Sequence, residues 1–466
     1  MSCKLPIHIV ANNRTESLQS TDCFCCNKPI AGAIFSQDEV SFPPVKEEMD
    51  YHYKSRVIDA ELATRLSSTG AVLIEGPKAS GKTSTARQFA ASEVLLDVDE
   101  NARRAIAIDP TLVLDGEVPR LIDEWQIEPA IWNHVRRMVD DRKEPGQFIL
   151  TGSALPSDDV TRHGGAGRLT RLHMRPMSFF ETGHSTGAVS VRALLDGIVT
   201  PVSDSGLTMA AISERIAVGG WPGHLDRTVR QSVQAVRDYL EEIRGVDIGR
   251  LDQTRRDPDK VGRLLRSLAR NIATFAATTT LAADTRGAEG PLDVDTVRAY
   301  LTALERLMIL EDQPAWAPHL RSKSRLRQAP KRHFVDPSLA VAALRATPER
   351  LLGDLNLFGF LFESLVIRDL RVYAQAADAR VLQYRDNTGL EVDAILEAED
   401  GRWAAFEIKL GPRLVDEATE NLLTLAERVD TRKSGEPAVL AVIVGTGYGY
   451  MRDDGVAVIP IGALGP

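Results

Sequence analysis

Eight residues, GPKASGKT (Gly76–Thr83), restrict the folds open to this chain more than any other stretch. They fill every fixed position of the phosphate-binding pattern G-x-x-x-x-G-K-[ST]. The apolar run AVLIE (Ala71–Glu75) precedes them and reads as a buried strand, and STARQFAA (Ser84–Ala91) follows and reads as a helix start. Such a loop aims backbone N–H groups at a phosphate from a helix N-terminus. Gly76, Pro77, Lys78, Ala79, Ser80, Gly81, Lys82 and Thr83 are therefore the expected ATP-binding residues. Lys82 would neutralise the β- and γ-phosphates, and the Thr83 hydroxyl would hold Mg²⁺.

Further strands read at VLLDVD (Val94–Asp99), PRLIDE (Pro119–Glu124) and QFILTG (Gln147–Gly152), with a helix at WNHVRRMVD (Trp132–Asp140). Strands alternating with helices predict an α/β domain with a mainly parallel sheet. Ligands of such sheets collect at the carboxyl ends of the strands. The phosphate loop, Asp123-Glu124 and Thr151–Ser153 all fall at such ends. Asp123 is expected in the Mg²⁺ shell, and Glu124 is placed to polarise an attacking water. Thr151 or Ser153 could sense the γ-phosphate through a hydrogen bond. In the Gly-rich loop GGAGRLTR (Gly164–Arg171), Arg168 or Arg171 could serve a neighbouring subunit's ATP as an arginine finger, which implies a homo-oligomer; two surface arginines are the alternative.

A length of 466 residues predicts two to four domains. The net charge of −9 excludes a basic coat for nucleic acid, so any such contact needs a local patch. No apolar run approaches the ~20 residues of a membrane span. No secretory signal is visible, so the cytoplasm is the expected location. Residues 1–48 show no sustained period and hold Cys3, Cys23, Cys25 and Cys26. The last three, with His8, have poor spacing for zinc, and a disordered leader or a misassigned start before Met49 is expected.

Residues 49–205 are expected to form the ATPase domain, and residues 206–332 a helical region. GGWPGHL (Gly219–Leu225) reads as a tight turn with a Trp anchor, and Arg230–Arg244 as a helix. Helices at Lys260–Phe275, Leu281–Arg286 and Leu292–Asp312, followed by strands, suggest a winged helix; Asp293 or Asp295 can cap the last one. The segment RSKSRLRQAPKR carries Arg321, Lys323, Arg325, Arg327, Lys331 and Arg332 and no acid. It would suit the phosphates of DNA. A solvated hairpin, or a face for the chain's own acidic ATPase part, fits it equally. The winged helix could likewise be a packing or oligomerisation module.

Residues 333–466 hold a second constellation. The amphipathic helix Gly359–Tyr373 carries Glu363, the alternating strand LEVDAILE (Leu390–Glu397) carries Asp393, and WAAFEIKLG (Trp403–Gly411) carries Glu407 and Lys409. Residues i and i+2 of a strand share a face, so Glu407 and Lys409 point together. Glu363, Asp393 and Glu407 could bind Mg²⁺ through oxygens, with Lys409 orienting a water for phosphodiester attack. An exposed charged sheet face is the alternative.

LIEGPKASGKT, LIDEWQ, FILTGS, the GR of GGAGR, RPMSFFE, GGWPGHL, KRHFVDPSLA, GFLFESLV, EVDAIL and FEIKLG together resemble a large prokaryotic family of AAA-type ATPases. Its members join an N-terminal P-loop domain to a C-terminal domain of unknown function with a restriction-endonuclease-like core. The resemblance covers nearly everything after Met49. It implies a nucleotide site at Lys82, Thr83, Asp123 and Glu124, matches Arg168 to the family's Gly-Arg, and matches Glu363, Asp393, Glu407 and Lys409 to the acidic motif of the nuclease fold. Val392 stands where that motif often has Pro. The expected function is an Mg²⁺-dependent ATPase whose nucleotide state gates a nuclease-like, DNA-binding module. A nucleotide-switched protein-interaction scaffold with an inert nuclease fold is the alternative.

Overall fold

The computed structural model describes residues 53–154, 165–251, 256–287, 290–318 and 329–466. The four cysteines and His8, Gly164, and Arg321, Lys323, Arg325 and Arg327 of the basic segment lie outside the described residues.

The first sheet contains β1 (Ala71–Glu75), β2 (Ser92–Leu95), β3 (Arg120–Asp123), β4 (Phe148–Gly152) and β5 (Leu169–His173) in the order β2-β3-β4-β1-β5. All of its pairings are parallel. The near-continuous apolar runs of β1 and β4 suit a sheet covered on both faces. Alternation along the strands divides them: Ala71, Leu73, Ile122, Phe148 and Leu150 meet Trp132, Val135 and Val139 of the helix Ile131–Arg142 on one side. Val72, Ile74, Leu121 and Ile149 meet Leu62 and Leu66 of the helix Asp59–Ser68 on the other. Part of the stretch read as a Gly-rich loop is instead the edge strand β5, because Leu169–His173 pairs along the whole of β1.

The helical middle contains Met209–Val218, Val229–Glu242, Pro258–Arg270, Thr278–Asp284 and Val294–Arg306. Val229–Glu242 runs on into a π-helical turn, Ile243–Asp247. Asp293 caps the last helix by accepting from the Asp295 and Thr296 amides. The chain then forms antiparallel bridges, Leu310 to Phe334 and Gln313 to Lys331. Ala315 bridges on to Gln383 at the edge of the second sheet.

A short strand, β6 (Val189–Ser190), precedes that middle region. The second sheet holds β7 (Ala379–Arg385), β8 (Glu391–Ala398), β9 (Trp403–Lys409), β10 (Leu440–Val444), β11 (Tyr450–Met451) and β12 (Ala457–Pro460), ordered β11-β12-β10-β9-β8-β7. Its strands β7, β8 and β9 are antiparallel, whereas β9, β10 and β12 run parallel. Val415–Arg428 packs on one face through Val415, Ala418, Leu422 and Leu425. The long helix Leu355–Ala376 covers the other and is buried from Leu361 through Ala374. Finally β13 (Leu464–Gly465) pairs in parallel with β6. The chain is thus an α/β protein: a parallel-sheet P-loop part, a helical middle and a C-terminal α/β sheet domain. No helix of the described residues is long and apolar enough to cross a membrane.

Candidate functional site

The phosphate loop leaves β1 and enters the helix Lys82–Arg87. Gly76 allows a close approach, since a Cβ there would lie 2.1 Å from the Met174 carbonyl oxygen. Gly81 takes φ 99°, which an L side chain rarely adopts. The buried Lys82 Nζ donates to the carbonyls of Gly76 at 3.0 Å and Pro77 at 2.9 Å. Burial draws its pKa down to about 8. The Ser80 hydroxyl is buried with no hydrogen-bond partner. A left-handed glycine, a folded-back lysine and an unused hydroxyl around one loop fit a nucleotide's phosphates.

Two strand ends complete this edge. Thr83 Oγ1 donates to Asp123 Oδ1 at 2.8 Å, and Thr151 Oγ1 donates to the same oxygen. Neighbouring strands β3 and β4 bring Asp123 and Thr151 together, so the acid is tied to the loop's last residue. Thr83 and Asp123 are an oxygen pair of the kind that Mg²⁺ takes in P-loop proteins. Glu124 adopts φ 52° at the turn after β3, and its amide donates to Thr151 Oγ1 at 3.2 Å. Its carboxylate accepts from Ser153 Oγ at 2.9 Å and from Gln126 Nε2. Ser153 therefore clamps Glu124 here. Gln126 was missed by sequence reasoning, although LIDEWQ sets it two residues after Glu124.

Arg168 lies at the opposite edge, before β5, with its Nε 2.7 Å from Asp140 Oδ1. Its carbonyl accepts from the Ala71 amide, where β1 begins. Five residues of β1 separate it from the loop, about 16 Å. Arg171 pairs with Glu75 at 2.8 Å.

The loop is fastened to other parts of the chain. Arg56 Nη1 donates to the Ser80 carbonyl at 2.8 Å, its Nε to Glu181 Oε1 at 2.9 Å and its Nη2 to the Arg175 carbonyl at 2.8 Å. Lys78 Nζ meets Asp247 Oδ1 at 2.6 Å, and the Tyr239 hydroxyl donates to the Lys78 carbonyl at 3.3 Å. Beyond them lies a second buried network. Arg368 of the long helix binds Asp369 and, through Nη1 at 2.8 Å, Asp336 Oδ2. Asp336 accepts from the Gly220 amide and Asp369 from the Phe179 amide, each at 3.0 Å. The GGWPGHL turn is thereby held between the Met177–Phe179 segment and the last third of the chain, with the Met177 amide donating to the Gly220 carbonyl at 2.6 Å and Trp221 Nε1 donating to Ser338 Oγ at 3.1 Å.

Glu363, Asp393, Glu407 and Lys409 do converge. Asp393 Oδ2 accepts from Lys409 Nζ at 3.1 Å and from the Ile408 amide at 2.9 Å. Lys409 also donates to Glu407 Oε2, so those two side chains share a face while Ile408 turns into the core. A fifth member corrects the sequence reading. Lys331, expected in an exposed patch for DNA, has a side chain only 4% exposed. Its Nζ sits 2.7 Å from Glu363 Oε1 and 3.0 Å from Asp393 Oδ1. Arg332, expected in the same patch, pairs with Asp312. The hairpin bridge to Gln313 draws both inward, which a basic run of sequence does not reveal. Burial raises Glu363 to about 7. Burial and the Asp393 charge raise Glu407. Burial favours the neutral acid at Asp393, yet Lys331 and Lys409 hold it well below the usual carboxylate range.

A model described as an AAA domain matches residues 68–183. Models described as domains of unknown function, DUF8612 and DUF4143, match residues 209–350 and 358–464. An uncharacterized protein of Mycobacterium bovis and one of Mycobacterium tuberculosis are each 25% identical over 359 residues, covering 75% of this chain and 72% of the relative. A Walker-type ATPase of Pyrococcus abyssi shares 14% identity, with a TM-score of 0.38 over 63% of this chain and 99% of its own. The C-terminal match names no activity, so the nuclease-like core stays an expectation. With the phosphate loop at the carboxyl edge of a parallel sheet, residues 68–183 form a P-loop NTPase-like part of the chain that is similar to an AAA domain.

Proposed function

We propose that this protein binds and hydrolyses ATP, and that its nucleotide state is passed to the C-terminal domain. The observation that carries this is the anchoring of one loop: Lys82 and Ser80 line it, Thr83 ties it to Asp123, and Arg56 and Asp247 fasten it to distant segments. Lys82 leaves the Gly76 and Pro77 carbonyls to neutralise the β- and γ-phosphates. Thr83 and Asp123 hold Mg²⁺, which supplies charge neutralisation at the phosphate oxygens. Glu124 leaves its Ser153 and Gln126 partners to polarise water, and Thr151 or Ser153 senses the γ-phosphate. Arg168 is too far from its own loop and acts, as a finger, only on a neighbouring subunit, so the working form is a homo-oligomer. Lys82→Ala abolishes ATP turnover with the fold intact, and Glu124→Gln binds ATP without turning it over; hydrolysis at the wild-type rate by either variant contradicts the assignment.

Two readings of the output have support. Glu363, Asp393, Glu407 and Lys409 converge as a nuclease-like, DNA-binding module requires, and the basic residues Arg321, Lys323, Arg325 and Arg327 suit DNA. The buried Lys331 supports the other reading, an inert nuclease-like fold used as a nucleotide-switched interaction scaffold. A binding and cleavage screen on single- and double-stranded DNA and RNA, with and without ATP, separates them.

A further inference from the structure

The acidic cluster of the second sheet already contains two cations of its own. Lys331 Nζ lies between Glu363 Oε1, at 2.7 Å, and Asp393 Oδ1, at 3.0 Å. That is the bridging place a divalent ion would take between a helix carboxylate and a strand carboxylate. The second oxygen of Asp393 is also engaged, by Lys409 Nζ at 3.1 Å and by the Ile408 amide at 2.9 Å. Glu407 is 2% exposed and gives Oε2 to Lys409. Both oxygens of the central aspartate are therefore bound by protein donors.

Lys331 is also fixed in place. Its backbone exchanges both hydrogen bonds with Gln313, at 3.1 and 2.9 Å. Gln313 Nε2 in turn donates to the Asp393 carbonyl at 2.9 Å and the Leu382 carbonyl at 3.0 Å. The Phe275 ring lies beside the ammonium, 5.6 Å from its centroid, a favourable cation–π distance. Displacing the ammonium would leave a buried charge without its two carboxylate partners. Among the described residues no group of three or more His, Cys, Asp or Glu side chains is disposed to hold a metal ion. The residues present do not fit Mg²⁺ at this cluster.

We propose that Lys331 holds the cation position of the Glu363–Asp393–Glu407 cluster, so that the cluster takes up no divalent metal and locks the Gln313–Lys331 hairpin to the long helix. The proposal rests on the inert-fold reading of the output and on nothing in the ATP site.

The test is Mn²⁺ binding to the full chain without nucleotide, read as free Mn²⁺ by electron paramagnetic resonance. Asp393→Asn is measured in parallel to subtract ions held elsewhere. The expected result is no Asp393-dependent binding in the wild type and, in Lys331→Met, a gain of at least tenfold in Mn²⁺ affinity that Asp393→Asn removes. Asp393-dependent binding by the wild type overturns the proposal, and so does a folded Lys331→Met or Lys331→Ala chain that gains nothing. If neither variant folds, the wild-type measurement decides alone. A DNA-cleavage assay on the same samples keeps the two levels apart: wild type that binds Mn²⁺ but cuts nothing overturns the role of Lys331 and leaves the inert-fold reading standing.

Discussion

Lys78, inside the phosphate loop, places its ammonium 2.6 Å from the buried carboxylate of Asp247, in the π-helical turn of the middle region. The lysine is 46% exposed, so the pair is partly screened and its strength is at most ~1 kcal/mol. Under the proposed ATP binding, Asp247 would compete with phosphate for this lysine, and it sets a negative charge near the loop. Asp247→Asn is expected to raise ATP affinity about two- to fivefold, measured by calorimetric titration. Unchanged affinity would show that the pair is indifferent to nucleotide.

Lys82 gives the nucleotide site a pH dependence. Burial lowers its pKa to about 8 in the free protein. Phosphate oxygens favour the ammonium and raise that value, so binding takes up a proton wherever the free lysine has lost one. ATP affinity is then full below pH 8 and declines above it, by up to about tenfold per pH unit. Titrations near pH 9 in buffers of different ionisation enthalpy read the proton uptake directly. Lys82→Arg removes the dependence, because a guanidinium stays charged throughout.

Arg56 and Glu181 form an ion pair with side chains 4% and 2% exposed. Arg56→Ala leaves the Glu181 carboxylate and the Ser80 carbonyl without this donor. The expected loss is about 3–5 kcal/mol in chemical denaturation, with weaker ATP binding by the folded fraction. Arg56→Lys restores less than half of the loss, since one ammonium cannot reach three partners in the directions a guanidinium does.

Arg368 serves Asp336 and Asp369 at once, all of them essentially buried. Arg368→Met strands two carboxylates and is expected to lower stability by about 3–5 kcal/mol. Adding Asp336→Asn and Asp369→Asn removes the stranded charges and recovers much of the loss. Denaturation midpoints of the single and triple variants check both statements; equal midpoints would mean that the charges are solvated.

The convergence of the phosphate loop, Asp123 and Thr151 on one edge of the first sheet was legible because its signals are local. Gly76, Gly81, Lys82 and Thr83 lie within one loop, and Asp123 and Thr151 end apolar strands whose parallel pairing follows from their alternation with helices. Arg56 was not legible, since its three partners are brought to it by folding. Lys331 misled for the same reason: in RSKSRLRQAPKR it is one cation among six, and its burial depends on pairing with Gln313. The helix carrying Glu363 read as amphipathic over Gly359–Tyr373. It is buried from Leu361 through Ala374, because Arg368, Asp369 and Arg371 are met by Asp336, the Phe179 amide and Glu311 instead of water, partners that only folding brings to it.

The pairing of β13 with β6 joins Leu464–Gly465 to Val189–Ser190, and Ser185 Oγ reaches the Leu464 carbonyl across 279 positions of sequence. A contact of that span forms late and slowly. During synthesis, Val189–Ser190 must wait for this partner strand until residues 464 and 465 have been made. The Val189–Ser190 edge therefore stays without this partner until then, and an unpaired edge of that kind is open to wrong pairing in the interval.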